Sequence, residues 1–360
     1  MKKKVLRGLY IVVGVPLFAF VALLLFLTVT EYKPDDEETL DINGDALTSL
    51  SLEDTLNLMT FNIGYGSLGE NEDFVMDGGE RGRPESKEVV RNYLAGIEGL
   101  LDTHESDVYF LQEVDEPSRR SYDINQVREL HVALGPEVYQ SAFGYNFKAS
   151  LVPFPVSFSE YIGQVASGMQ TLSRFEMDSA LRMQFPGSFS WPLRTANLKR
   201  AMVVSRLSIE DSDKELILIN LHMSAYDDGS MRKQEMALFK EVLQEESTLG
   251  NYVIVGGDFN QTFPEAEGLF PVINDDYFSA PQMESDVLGE GFEFAIDTSH
   301  PTSRLLNMPY DPDSEYTQYY IIDGYVVSDN VRVINVETVD HDFKYSDHNP
   351  VILEAELISE

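Results

Sequence analysis

Along most of the chain, short apolar runs alternate with segments whose apolar residues recur at helical spacing. Residues 56–61, 107–112, 200–206, 215–221, 252–256, 319–327 and 331–338 read as strands, several of them continuously apolar like strands buried on both faces. Val89, Val90, Tyr93, Leu94, Ile97, Leu100 and Leu101 mark one face of a helix, and a second helix is predicted over about 231–245. This order predicts α/β layers around packed sheets. Residues 64–87, Gly-rich and acidic, and 264–315, with six prolines, fit no core element. Loops of that length are functional or disordered, and both follow polar islands, which places them at the mouth of a site. Residues 145–170, with Phe147, Phe154, Phe158 and Tyr161, show no clear period. Their aromatics read as core, with a membrane-facing lip as the alternative.

The first thirty residues follow another pattern. Lys2, Lys3, Lys4 and Arg7 precede an uncharged apolar run over 8–30. As a helix rising about 1.5 Å per residue, that run is long enough for a hydrocarbon core of about 30 Å. Its length and the lack of a small-residue cleavage site favour an uncleaved transmembrane anchor over a signal peptide. Bases before the run and Asp35, Asp36, Glu37 and Glu38 after it put the tip (1–7) in the cytoplasm and the rest outside the cell membrane. Residues 31–50, acidic and without period, read as a solvated stalk, and 51–360 as one domain.

The chain carries 61 acids against 26 Lys plus Arg, a formal net charge of −35, and four of those bases lie in the tip. Such a surface repels polyanions on average, which weighs against a nucleic-acid specialist. Arg81, Arg83, Arg119, Arg120, Arg194, Lys199 and Arg200 are the candidates for a local basic patch. There is no cysteine, so the fold rests on its core rather than on disulfides.

Polar islands close the apolar runs: Thr60-Phe61-Asn62, Leu111-Gln112-Glu113, Asn220-Leu221-His222 and Gly256-Gly257-Asp258-Phe259-Asn260, then Ile322-Asp323-Gly324-Tyr325 and Tyr345-Ser346-Asp347-His348-Asn349-Pro350. A carboxylate such as Glu113 at the end of an apolar strand is costly unless it is paired or binds metal. Gly256 and Gly257 let the backbone turn tightly beside a ligand. In a strand-like segment Asp258 and Asn260, two apart, face the same way. An imidazole, titrating near pH 6.5, suits a base working at neutral pH. No G-x-S-x-G elbow, P-loop or dinucleotide fingerprint is present.

In this order the islands resemble the endonuclease/exonuclease/phosphatase superfamily, Mg²⁺-dependent phosphoesterases that include DNase I-like nucleases, sphingomyelinases and inositol-phosphate phosphatases. The resemblance covers about residues 56–358 and implies a four-layer α/β sandwich of the DNase I-like kind. It implies Mg²⁺, or Mn²⁺, at Asn62, Glu113 and Asp347. Asp258 then orients or activates the attacking water and Asn260 contacts the phosphate. His222 hydrogen-bonds the phosphoryl group or acts as general acid, and His348 is the general base, its tautomer held by Asp323. Gly324 departs from the family pattern, because the expected aromatic comes one residue later as Tyr325. Arg174 and Arg200 read as structural, with charge supplied to the phosphate pocket as the alternative. The function implied is metal-dependent hydrolysis of a small phosphoester or phospholipid headgroup at the extracytoplasmic membrane surface by a monomer. A surface-anchored DNase or RNase and a catalytically inactive binding module are the alternatives.

Overall fold

A computed structural model describes residues 2–46, 48–157, 159–227 and 229–358, and of residues 2–11 the backbone alone. Phe158 and the side chains of Lys2, Lys3, Lys4 and Arg7 therefore lie outside the described residues.

Two seven-stranded sheets pack face to face. At the centre of one, Thr55–Asn62 runs parallel to Val108–Asp115; at the centre of the other, Glu215–His222 runs parallel to Tyr252–Asp258. The pleat divides each strand between two cores. From Thr55–Asn62, Leu56 and Leu58 enter the layer between the sheets, where Phe110, Leu218 and Ile254 meet them. Met59 and Phe61 face outward, under a helix. That covering helix, α2 (Lys87–Thr103), buries Val90, Tyr93, Leu94, Ile97 and Leu101 along one stripe, and Ser86 caps its start by accepting from Val89 N. Helix α3 (Gln126–Leu134) adds Leu130 to the same layer. On the other sheet, α4 (Ser230–Leu249) sets Met236, Phe239 and Leu243 against Ile217, Ile219, Val253 and Val255. The result is the expected helix–sheet–sheet–helix sandwich, and strands covered on both faces explain the continuously apolar runs.

Three expectations are corrected. Residues 31–50 are no solvated stalk. Glu37–Thr39 adds to the edge of one sheet beside Ser179–Gln184, Ile42–Asn43 to the other beside Gln140–Val152, and Leu50 is buried. Backbone pairing with exposed sheet edges, which side-chain periodicity does not report, holds this acidic segment down. Residues 145–170 are mostly a hairpin of Gln140–Val152 and Gly163–Ser173, rich in small and polar residues. The run 319–327 is broken into Tyr319–Tyr320 and Asp323–Ser328. At the break the N–H groups of Ile322 and Asp323 both donate to Thr302 Oγ1, at 3.0 and 3.1 Å, and the chain changes sheet partner.

One further helix, α1 (Lys2–Val29), contains a stretch, Val12–Val29, long and apolar enough to cross a membrane. Its last turns touch the domain: Leu27 is buried, and Trp191 Nε1 donates to Thr28 Oγ1 at 3.1 Å.

Candidate active site

The islands end on one edge of the sandwich because of strand direction. Asn62, His222 and Asp258 are the last residues of parallel central strands, and Asp323 begins a strand antiparallel to them, in register with Asp258. Asp347 and His348 lie just before Val351–Leu357, which runs antiparallel to Thr55–Asn62. Glu113 sits in an irregularity between Leu111 and Val114 with φ +55°, a conformation uncommon for a residue with a side chain.

These side chains form one set, buried except for the half-buried Glu113. His348 Nδ1 lies 2.9 Å from Asp323 Oδ2, while its Nε2 faces Asp258 and Asp347 at 3.9 and 4.0 Å. His222 Nε2 lies 3.4 Å from Asp258 Oδ2 and 4.0 Å from Glu113 Oε1. Asn62 donates from Nδ2 to Asp258 Oδ2 at 3.1 Å and accepts from Gly64 N at 3.0 Å. Gly64, at φ +52°, could not carry a side chain freely, since a Cβ would come within 3.0 Å of Asp347 Oδ1. Seven of the eight residues named from the sequence are thus brought to one place.

The reason given for Asn260 is corrected. The strand stops at Asp258, and Asn260 is left-handed at φ +51°. An Asx turn, Asn260 N to Asp258 Oδ1 at 2.8 Å, brings both side chains to the cleft, not a shared strand face.

Burial dominates the electrostatics. It pushes Asp258 up to about 7, with Asp323 adding and His348 opposing. It also pushes Asp347 up to about 7, with His348 opposing and Glu113 adding. The two imidazoles move apart. Burial, then Arg200 and His348, hold His222 well below 6.5. Burial alone would lower His348 too, but Asp323, Asp347 and Asp258 outweigh it and hold it well above 6.5. Two titratable groups driven in opposite directions in one pocket are a pattern of acid–base sites. Asp258, Asp323 and His348 also lie close enough together to ligate a metal. Within that trio Asp323 already bonds His348 Nδ1 at 2.9 Å, leaving Nε2 toward Asp258.

The two doubtful arginines separate. Arg174 pairs with Glu105 and Asp107 at the start of Val108–Asp115, the end away from Glu113. Arg200 lines the cleft, with a buried Nη1 that has no protein partner. Tyr325 explains the Gly324 departure: its hydroxyl reaches across to the other sheet, donating to Leu58 O and Val351 O at 3.0 and 2.8 Å. A Cβ at Gly324 would meet Ile296 at 2.8 Å.

A model described as the Endonuclease/Exonuclease/phosphatase family matches residues 59–348. The chain belongs to the endonuclease/exonuclease/phosphatase family. Members of this family are phosphoesterases and nucleases. In fold the chain is similar to an endonuclease/exonuclease/phosphatase from Beutenbergia cavernae DSM 12333, at 16% identity and TM-score 0.60 over 85% of this chain and 72% of that one. It is also similar to one from Bacteroides vulgatus, at 16% identity and TM-score 0.51 over 85% of this chain and 100% of the other. The human Nocturnin catalytic domain with bound sulfate aligns at 15% identity and TM-score 0.50, over 88% of this chain and 97% of that one. No curated protein matches the sequence significantly.

Within this endonuclease/exonuclease/phosphatase site, sequence reasoning missed three contributors. Arg304 is buried beside the cleft, donating from Nη2 to Gly69 O at 3.0 Å, and Ser303 Oγ lies 3.4 Å from His348 Nε2. Asp77 accepts from the Tyr226 hydroxyl and from Leu306 N, tying together the two long loops and the segment after His222. None of these residues ends an apolar run, so the signal that found the islands is absent there.

Proposed function

We propose that this protein is a divalent-metal-dependent phosphoesterase, anchored by residues 8–30 and acting at the extracytoplasmic membrane surface on a small phosphoester or phospholipid headgroup. The observation that carries the reading is the paired His348–Asp323 facing Asp258 and Asp347, with His222 and Glu113 across the same cleft. The donors fit Mg²⁺ or Mn²⁺. Asn62, Glu113 and Asp347 offer only hard oxygen atoms, and a buried Asp347 raised further by Glu113 is a place that favours added positive charge. Those three residues would hold the ion, which when bound supplies positive charge to the phosphoryl oxygens.

The chain's own groups account for the rest. His348 Nε2 takes a proton from the attacking water, while Asp323 holds the ring by Nδ1 and stabilises the cation formed. A cation held at Asp347 would offset one of the contributions that raise His348, favouring the neutral imidazole a base needs. Asp258 orients that water, and His222, held neutral, and Asn260 meet the phosphoryl oxygens. As the water oxygen bonds to phosphorus, the bond to the leaving oxygen breaks, and that oxygen takes its proton from solvent.

Contacts between α1 and the domain support the membrane placement. Glu31, just past the helix, has a buried carboxylate 3.3 Å from Arg194 and 3.2 Å from Lys199. The same pairing disfavours the nuclease reading, because it occupies bases that a polyanion site would need. Arg81 and Arg120 are likewise held by Glu72 and Asp115. The test is to assay the full-length protein in membranes against phospholipids, a soluble phosphate diester and plasmid DNA, with and without Mg²⁺ or Mn²⁺. Metal-dependent cleavage of phospholipid or the soluble diester is expected. Cleavage of DNA alone, or of nothing, overturns the reading.

A further inference from the structure

The cleft that holds the site does not end at the polar residues. It encloses about 580 Å³, within the range of roughly 300–1,000 Å³ typical of small-molecule sites, and it continues from Asp258 and His348 to helix α1. Phe20, Leu23, Leu24 and Leu27 line it. Their spacing of i, i+3, i+4 and i+7 is one face of the helix, so a single stripe of α1 forms a wall of the cleft. The facing wall comes from the hairpin and from the segment after Trp191, through Phe147, Val152, Phe154, Ile162, Leu193 and Leu198.

On the anchor reading, the apolar outer surface beside this cleft is the part that would face the bilayer. Leu193 is 62% exposed and Trp191 50%, both beside the end of a helix apolar enough to span a membrane. Trp191 donates to Thr28, the arrangement of an aromatic residue at a membrane–water boundary. Counting back from Thr30 to Phe20, at about 1.5 Å per residue, the stripe reaches about 15 Å below the boundary, the depth of one leaflet in a core of about 30 Å. The corrected stalk agrees: residues 37–43 are bound to the sheet edges, which keeps the domain close to the helix end.

Resting on the phosphoesterase and anchor readings above, we infer that the cleft takes a phospholipid of its own leaflet sideways, with the phosphate at the polar end and an acyl chain along the Phe20–Leu27 stripe of α1. The anchor is then part of the substrate site and not only a tether. A small water-soluble phosphoester fills the polar end and leaves an apolar groove open to water, whereas an acyl chain covers it. Arg200, with its buried unpartnered Nη1 lining the same cleft, is placed to meet the phosphate.

The test uses full-length protein in lipid nanodiscs with Mg²⁺, comparing kcat/KM for a long-chain phospholipid with that for bis(p-nitrophenyl) phosphate. Leu24→Trp, which fills the groove, should lower the phospholipid-to-soluble ratio by about tenfold or more, the scale of discrimination by apolar pockets. Leu25→Trp alters the outward face of the same helix, 61% exposed, and should leave the ratio at its wild-type value. In parallel, a phospholipid with a photoreactive group near the end of one acyl chain should label the peptides holding Leu24 and Phe154 in wild type, and much less in Leu24→Trp. Equal ratios in both variants, or labelling unaffected by Leu24→Trp, overturn the groove while leaving the phosphoesterase reading intact. Failure of wild type to cleave either ester with metal overturns that reading instead, and the labelling then decides the groove by itself.

Discussion

Neighbouring residues of the same islands meet opposite fates. Gln112 and Asn220 sit between the two sheets, fully buried, with Gln112 Nε2 donating to Asn220 Oδ1 at 2.8 Å and Asn220 Nδ2 to Gln170 O at 3.1 Å. One residue beyond Gln112 and two beyond Asn220 come Glu113 and His222, where such pairing stops. His222 Nδ1 and Asp323 Oδ1 are buried without a protein partner, and Glu113 holds a left-handed backbone. The first region is a clamp, in which the amide N–H groups are all paired across or along the sheets and fix how the sheets align, although Gln112 Oε1 and Gln170 Oε1 have no protein partner. The second gathers buried carboxylates and imidazoles around a few bonds of their own and leaves His222 Nδ1 and Asp323 Oδ1 uncommitted at a cost in stability, as a site awaiting a ligand requires. A short polar motif in these sequences therefore carries two messages, one for folding and one for chemistry.

Substitution should separate the two. The largest effect is expected at the strand tips: His348→Ala or Asp258→Asn should each lower kcat by about two to four decades, the scale for losing a base or its partner, with Tm little changed. Steady-state kinetics beside a thermal melt checks this, and a variant with wild-type kcat would remove that residue from the chemistry. In the clamp the effect should fall on stability. Asn220→Ala removes the bond from Gln112 Nε2 across the sheets, leaving that donor Thr60 Oγ1 and Phe110 O. It should cost about 1 kcal/mol of unfolding free energy, read from the denaturant midpoint, while the folded fraction keeps its kcat. A loss of turnover without a loss of stability there would erase the distinction between the regions.

The continuously apolar strands at the centre of each sheet and the island residues were legible because buried parallel strands write such runs and each site residue ends or follows one. Val351–Leu357, alternating between buried and half-buried positions, was not. What stayed hidden depended on partners distant in sequence. Glu37–Thr39 is acidic and takes its place only through backbone pairing with Ser179–Gln184. Arg304 reaches the site from a long loop whose course is fixed by Tyr319–Tyr320 and by Asp347 O. The hairpin of Gln140–Val152 and Gly163–Ser173 carries small and polar residues that sheet context, not hydropathy, makes into strands.

The central claim is that the uncommitted groups at the strand tips form a metal-dependent phosphoesterase site. The most direct measurement is hydrolysis of a phosphate diester by the full-length protein after chelation, followed through a titration with Mg²⁺ or Mn²⁺, in wild type and in Glu113→Gln. The account predicts no turnover in EDTA, saturable recovery in wild type, and recovery in Glu113→Gln displaced to higher metal concentration by about tenfold or more, since hard cations depend on carboxylate ligands. Full turnover in the chelator, or identical titrations for the two proteins, would contradict it.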